Sequence, residues 1–519
     1  MNSNFTPIKD IPNIVTDLRK SYNTNVNLSY HQRVAHLKQL YAFLENETDA
    51  LYDALHKDLR KPQHEFLIEI GSVKETIVYA ISNLKDWMET GFPSKPLQNM
   101  MDQCEIRNVP LGVVLIVSPW NFPIVLTLQP LVGAIAGGNT TVLKLSEISS
   151  RTSDVLARLL PKYLSSDLCR IVLGAIPETQ CLLNQHFDLL FYTGNTSVGK
   201  IYIEASAKNI TPVVLELGGK SPVIVDHTVD LITTARRIIG GKIMNCGQVC
   251  LSPDYVLIEE SIMEDFLKVI KIELHRLLGS NIKQNPAYGR IISNSHFKRL
   301  QQLLNRQLEI KGTKLIIGGD MDENDLFISP VVLAGMKLAD ENPIMSQELF
   351  GPILPVFPIK SIQEGIDFIN KHHPCPLAIY PFSKDMKEVE SIISQVNSGG
   401  VCVNDVIFHV AVETLPFGGV GPSGLGKYHG KSSFETFTRQ KSILIKSNGY
   451  ENPNDFRYPH VIGDTNSNAF KILKWVLNKK VPSNAYLIGS RFLTKYGSNP
   501  ALIGLLGILV GFKLSKFLN

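Results

Sequence analysis

Four short stretches place reactive side chains where a buried strand or a helix gives way to a turn. Met244-Asn245-Cys246-Gly247-Gln248-Val249-Cys250 holds two thiols four residues apart, with a glycine between them. A thiolate is strongly nucleophilic near neutral pH, and Gly247 permits a tight backbone path that can present a thiol to a cleft. Cysteine is also a common packing residue, and this stretch alone does not choose between the two uses. Leu215-Glu216-Leu217-Gly218-Gly219-Lys220 sets a carboxylate at the end of an apolar run. A charge there is costly unless it is paired or used, although a solvated loop carboxylate would also suit. Ser118-Pro119-Trp120-Asn121-Phe122-Pro123 offers an amide that can donate a hydrogen bond into a cleft, or can simply close an Asx turn. Phe191-Tyr192-Thr193-Gly194-Asn195-Thr196-Ser197-Val198-Gly199 reads as strand, turn and helix. Such a connection can hold a dinucleotide pyrophosphate at the helix N-terminus. The full G-x-G-x-x-G is absent, so by itself it is an ordinary strand–helix joint as readily as a binding turn.

These stretches need a scaffold, and the hydrophobic pattern supplies one. Val34, Leu37, Leu40, Tyr41 and Leu44, then Leu51, Leu55 and Leu59, recur at helical spacing. Val113–Val117 is wholly apolar and fits a strand buried on both faces of a parallel sheet. Further strands are expected at 142–144, 171–173, 189–192, 213–215 and 223–225, with helices over 128–136, 150–163 and 198–207. That alternation predicts an α/β, doubly wound fold. A second α/β region over 218–405 has helices near 232–244 and 263–278 and closes on a strand at 401–403. Ser442–Lys446 reads as a lone alternating strand, which needs a partner in this chain or in a second subunit.

Composition sets the class. A chain of 519 residues exceeds one ordinary domain, and 44% hydrophobic with 19% charged residues suits a large core. The net charge of +4 is spread along the chain, so no nucleic-acid partner is expected. Seven cysteines show no disulfide framework, and His372 and His373, being adjacent, point in different directions, so no metal is expected. Met1–Asp10 lacks a charged region followed by an apolar core, so a cleaved signal peptide is not expected.

Taken together and in order, the motifs resemble the aldehyde dehydrogenase superfamily, and most closely its class 3 branch, which contains the fatty aldehyde dehydrogenases. The resemblance is carried by 119–123, Gly137-Gly138-Asn139-Thr140, 215–220, 245–250 with Ser252-Pro253-Asp254-Tyr255 behind it, Gln347-Glu348-Leu349-Phe350-Gly351-Pro352, and Pro416-Phe417-Gly418-Gly419-Val420-Gly421. It implies a Rossmann-type cofactor domain, an α/β catalytic domain and a small oligomerisation sheet. It implies Cys250, and not Cys246, as nucleophile, Glu216 as general base and Asn121 as oxyanion donor. It implies an NAD site, with NADP not excluded: Lys144 and Glu147 on the adenosine ribose, Gly194 and Gly199 at the pyrophosphate, Glu348 and Phe350 at the nicotinamide ribose and ring, and Trp120, Thr193, Leu217 and Gly218 also binding the cofactor. Asn404 falls in a stretch matching the family's closing strand. Two positions depart from the family pattern: Leu145 stands where proline is usual, and Asn195 where serine is commoner.

The resemblance further implies a division into a cofactor domain (1–95 and 109–217), a catalytic domain (218–405), bridging segments (96–108 and 406–447) and an extension (448–519). A homodimer is implied. Residues 501–512 are apolar on every helical face and are followed by Lys513 and Lys516; the run is shorter than a usual span and would also suit a core helix, but it is read as a membrane anchor at about 500–514. An anchored enzyme facing the cytosol, on endoplasmic reticulum, outer mitochondrial membrane or lipid droplet, would meet lipophilic medium- and long-chain aldehydes. Four other readings stand beside it: an aromatic aldehyde dehydrogenase, a CoA-acylating dehydrogenase, a Cys–Glu hydrolase without redox function, which would leave Lys144, Glu147 and Glu348 without a purpose, and a catalytically silent membrane scaffold. Phe122, Phe408 and His409 are the candidate residues of the substrate pocket.

Overall fold

The computed structural model describes residues 5–24, 29–96, 99, 102–339, 341–448, 458–459, 463 and 465–478. The chain divides into two units, one of residues 1–91 and 106–442 and one of 92–105 and 443–519. The first unit holds both large sheets.

Its first sheet has six strands in the order Gly424–Leu425, Val213–Glu216, Leu189–Thr193, Val113–Val117, Thr140–Lys144 and Cys169–Val172. The last five run parallel, as their continuous apolar stretches predict. Every residue of Val113–Val117 and Thr140–Lys144 is buried, because helices cover both faces. The chain builds outward from Val113–Val117 in one direction through Thr140–Lys144 and Cys169–Val172. It then returns to build the other side through Leu189–Thr193 and Val213–Glu216. Strand order therefore reverses beside Val113–Val117, which is where α/β sheets open a crevice at their carboxyl ends.

The second sheet has seven strands: Gly400–Val401, Ala378–Phe382, Pro222–Val225, Tyr255–Glu259, Ile353–Ile359, Val331–Ala334 and Lys314–Ile317. Only Lys314–Ile317 is antiparallel to its neighbour.

The expected helices form with small changes of boundary, as Val125–Gly137, Ser150–Leu159, Thr196–Ala207, Leu231–Ile243 and Glu260–Leu278. The region over 30–90 resolves into Tyr30–Asn46, Thr48–Leu59 and Gln63–Trp87. The lone strand finds its partner within this chain: Thr438–Ile445 pairs with Gln103–Pro110. The strand expected at 401–403 is shorter, Gly400–Val401, although the Cys402 and Asn404 N–H groups still donate to the Ile379 and Pro381 carbonyls of the neighbouring strand at 3.1 and 2.8 Å. Gly424–Leu425 was not foreseen. It is two residues long and joins the edge of the first sheet antiparallel, Gly424 opposite Glu216. The anchor expected at 500–514 lies outside the described residues. Among the described residues, no helix is long and apolar enough to cross a membrane.

Candidate active site

The carboxyl ends of the first sheet's strands open on a cavity of about 970 Å³. Every site residue expected from sequence lines it, except Gly199.

The cysteine loop has an unusual backbone. Helix Leu231–Ile243 ends at Met244, and Asn245, Cys246 and Gly247 then take φ of 47°, 55° and 71°. Gly247 is required twice over, since a Cβ there would also lie 2.2 Å from the Gly351 carbonyl oxygen. Asn245 is of a residue type that tolerates the left-handed conformation, whereas for Cys246 it costs about 1–2 kcal/mol. A hydrogen-bond network holds them there. Both Glu65 carboxylate oxygens accept the Asn245 backbone N–H at 3.0 Å. The Asn245 side chain donates to the Asn121 and Gln248 carbonyls at 3.0 and 3.2 Å. Gln248 donates to the Asn245 and Arg290 carbonyls and accepts the Ile292 N–H at 3.0 Å. The two thiols consequently part company. Cys250 lines the cavity, while Cys246 is buried in the core beside Tyr288 and Gly289.

Asn121 is fixed from behind. Its side-chain N–H donates to the Gln248 carbonyl at 3.0 Å, which uses one of two amide hydrogens. Its backbone carbonyl accepts from Lys61 Nζ at 3.2 Å. Lys61 is fully buried, pairs with Glu69 at 2.7 Å and lies 3.7 Å from the Phe122 ring centroid. Glu69 in turn accepts the Ile124 and Val125 N–H groups at 2.9 and 3.1 Å. One buried ion pair thus clamps the whole turn after Val113–Val117.

Glu216, Glu348 and the Cys250 thiol share the cavity and act on one another electrostatically. Glu216 ends its strand 3% exposed, and neither carboxyl oxygen has a partner among the described residues. Burial holds it well above the ordinary carboxylate range. Glu348 is pushed up to about 8, by burial first and then by the nearby Asp254. The Gly219 N–H bonds it, but its Oε1 is buried and unpartnered. A Cβ at Gly218 would lie 2.0 Å from Glu348 Oε2, so only glycine lets this carboxyl stand there. The Cys250 thiol is pushed up to about 12, by burial first and then by Glu348 and Glu216. Lys220 pairs with Asp254 and donates to the Ile344 and Gln347 carbonyls at 3.0 Å, while Asp254 accepts the Leu349 N–H at 2.9 Å. That bracket sets the Gln347–Phe350 segment. The Trp120 ring meets Phe350 edge-on at 5.3 Å and His296 at 4.8 Å.

On the other flank Lys144 and Glu147 form a pair at 2.8 Å, and the Lys144 carbonyl accepts the Ser118 N–H at 3.1 Å. Gly194 donates its N–H to the Glu216 carbonyl at 2.9 Å. Asn195 caps helix Thr196–Ala207 by accepting the Val198 N–H at 2.9 Å. The departure from serine at this position therefore keeps a capping side chain. Gly199 sits inside that helix and packs on Leu217, where an added Cβ would lie 2.8 Å from Leu217 Cδ2. Of the candidate pocket residues, Phe122 and Phe408 line the cavity and His409 does not. The unpartnered Glu348 oxygen, the glycine beneath it and the capped helix end together suit a dinucleotide.

Lys61, Glu65, Glu69 and Gln248 were missed from sequence. The signal was present in part: Glu65 and Glu69, at i and i+4, fall on the stripe that also carries Phe66, Ile70 and Val73, with Lys61 two residues before the helix begins. A charge on a helix's apolar stripe asks for a buried partner.

The chain matches the family model described as the aldehyde dehydrogenase family over residues 7–443. It is 45% identical to mouse (Mus musculus) aldehyde dehydrogenase family 3 member A2, over 86% of this chain and 90% of that protein. It is 42% identical to the dimeric NADP-preferring aldehyde dehydrogenase of Rattus norvegicus, over 87% of this chain and 98% of that one. Among solved structures, the substrate-bound state of Staphylococcus aureus AldH superposes with a TM-score of 0.85 at 37% identity. It covers 90% of this chain and 99% of its own.

Proposed function

The chain belongs to the aldehyde dehydrogenase family and oxidises aldehydes with NAD or NADP, and from that premise we propose that it converts medium- and long-chain aliphatic aldehydes to carboxylic acids through a thioester on Cys250. The observation that carries this reading is the cavity shared by the Cys250 thiol, the Asn121 amide and an unpartnered Glu216 carboxyl.

A free aldehyde carbon is electron-poor and gives up hydride reluctantly. Addition of the Cys250 sulfur, its thiol proton passing to solvent water, makes that carbon tetrahedral and electron-rich. The remaining amide hydrogen of Asn121 and the Cys250 backbone N–H receive the oxyanion, each donor being worth about 3–4 kcal/mol in the transition state. The nicotinamide, when bound, supplies the hydride acceptor. Cys250 is then left as a thioester. Glu216 takes a proton from the water that attacks it, the acid departs, and the thiol is regenerated. Burial suits Glu216 to this task, since a carboxyl held above the ordinary range is a stronger base once ionised.

Lys144 and Glu147 would hold the adenosine ribose, Thr193, Gly194 and the start of helix Thr196–Ala207 the pyrophosphate, and Trp120, Leu217, Gly218, Glu348 and Phe350 the nicotinamide end. The Glu147 carboxylate favours NAD, because a 2′-phosphate beside it would meet like charge. Ile68, Phe122, Val125, Leu126, Ile407 and Phe408 give the cavity an apolar flank fitted to an alkyl chain. The apolar tail at 501–512 supports anchoring at a membrane facing the cytosol. The dimeric relative and the Gln103–Pro110/Thr438–Ile445 ribbon support a homodimer. The sheet divide near 217–222 supports cofactor and catalytic domains meeting there, with the segment after 405 bridging back to the first sheet.

A panel of C6 to C18 and aromatic aldehydes, followed by NADH and NADPH absorbance, tests the substrate and cofactor. Benzaldehyde turning over faster than every alkyl substrate would overturn the first. Glu216→Gln should accumulate an acyl group on Cys250, visible as an intact-mass increment. A deacylation rate equal to wild type removes Glu216 from its role.

A further inference from the structure

Glu65 has no part in the chemistry above, yet it is 5% exposed and spends both carboxylate oxygens on one backbone N–H, that of Asn245. Carboxylates are the stronger acceptors of such a group and also the more expensive to bury. What Asn245 governs explains the choice. Its φ of 47° opens the left-handed path to Gly247 that ends at Cys250. Its side chain binds the Asn121 carbonyl at 3.0 Å and the Gln248 carbonyl at 3.2 Å. The same Gln248 carbonyl accepts the Asn121 side chain at 3.0 Å. A shift of Asn245 therefore moves the thiol loop and the oxyanion amide against each other.

We propose that Glu65 is a positioning residue for aldehyde oxidation, its ionised carboxylate locking the left-handed Asn245–Gly247 path and so fixing the Cys250 sulfur relative to the Asn121 amide. This rests on the reading of Cys250 and Asn121 as the reacting pair. The charged and titratable groups facing Glu65 are Lys61 and Glu69 on its own side, and Cys246 and Tyr288 from the opposed loops. Burial outweighs Lys61 and the Asn245 N–H and holds Glu65 at about 7. The lock is consequently charged, and strongest, above neutrality and is weakened to a neutral hydrogen bond below it.

The test compares Glu65→Gln, which keeps the shape and one acceptor, with Glu65→Met, which keeps neither charge nor acceptor. In variants whose Tm stays near wild type, kcat should fall about tenfold for Gln and about a hundredfold for Met, as expected of a reacting group displaced by a fraction of an ångström to an ångström. KM for NAD should stay within about twofold, because the cofactor ends of the cavity do not touch Glu65. The ratio of wild-type to Gln kcat should shrink toward one as pH falls from about 8 to about 6, where the wild-type acid becomes a neutral near-isostere of Gln. Other titrations cancel in that ratio, and it can be measured even if the Met variant does not fold. A ratio that is constant with pH, a kcat within twofold of wild type, or a loss that tracks NAD KM overturns the proposal. Cys250→Ala reports separately on the nucleophile: if it keeps its activity, the reacting pair was misread, whereas inactive Cys250→Ala beside unaffected Glu65 variants sinks only the positioning role.

Discussion

At the scale of single residues, the structure separates two thiols that their immediate neighbours in sequence do not distinguish and only the family resemblance does. Four residues and three left-handed backbone conformations carry Cys250 into the cavity and Cys246 into the core. Cys250→Ala should abolish aldehyde oxidation, while Cys246→Ala, which removes a buried sulfur beside Tyr288, should keep most of the kcat and lose about 1–2 kcal/mol of stability. Equal losses of activity would contradict this. Burial and two nearby carboxyls hold the Cys250 thiol at about 12, so the cofactor-free enzyme carries almost no thiolate at neutral pH. Only the thiolate is alkylated. Inactivation by iodoacetamide should therefore rise about tenfold per unit between about pH 7 and pH 9 without levelling, because each unit multiplies the ionised fraction by ten. A plateau below about pH 9 would show that some cation lowers the thiol in the free enzyme.

At the scale of elements, the segment from Lys61 through helix Gln63–Trp87 does more than cover the sheet. Its start delivers Lys61, Glu65 and Glu69 to the turn after Val113–Val117 and to the cysteine loop. Lys61 and Glu69 have no solvent-exposed side-chain surface. A buried pair of this kind contributes little net stability, but breaking it is severe. Lys61→Met should destabilise the protein by about 3–5 kcal/mol by leaving Glu69 charged and unpaired, and Lys61→Met with Glu69→Leu should recover much of that loss. Chemical denaturation of the two variants checks it, and a double variant no more stable than the single one would refute the account. Recovered stability without recovered kcat would further show that the pair serves the geometry of Asn121 rather than the fold.

At the scale of the whole molecule, the proposed membrane anchoring and the catalysis are expected to reside in different segments. Deleting 481–519 removes the apolar run at 501–512 but no residue of the cavity. The shortened protein should leave the membrane pellet for the supernatant and keep kcat on soluble short-chain aldehydes, while its rate on long-chain aldehydes presented in vesicles should fall. Retention in the pellet would assign membrane binding elsewhere. The parts of this protein legible in sequence are those governed by local pattern. Apolar runs such as Val113–Val117 specify buried parallel strands because only burial on both faces tolerates them, and their ends gave Asn121, Glu216 and Lys144. The order of motifs gave the family and, with it, the proposed role of Cys250. What folding alone decided are contacts between distant segments, where no periodicity records the partner. Gly424–Leu425 is too short to read as a strand until Val213–Glu216 lies beside it. Glu65 looks like one more helix charge until Asn245, 180 residues away, presents an N–H that the left-handed turn has left without a helical acceptor.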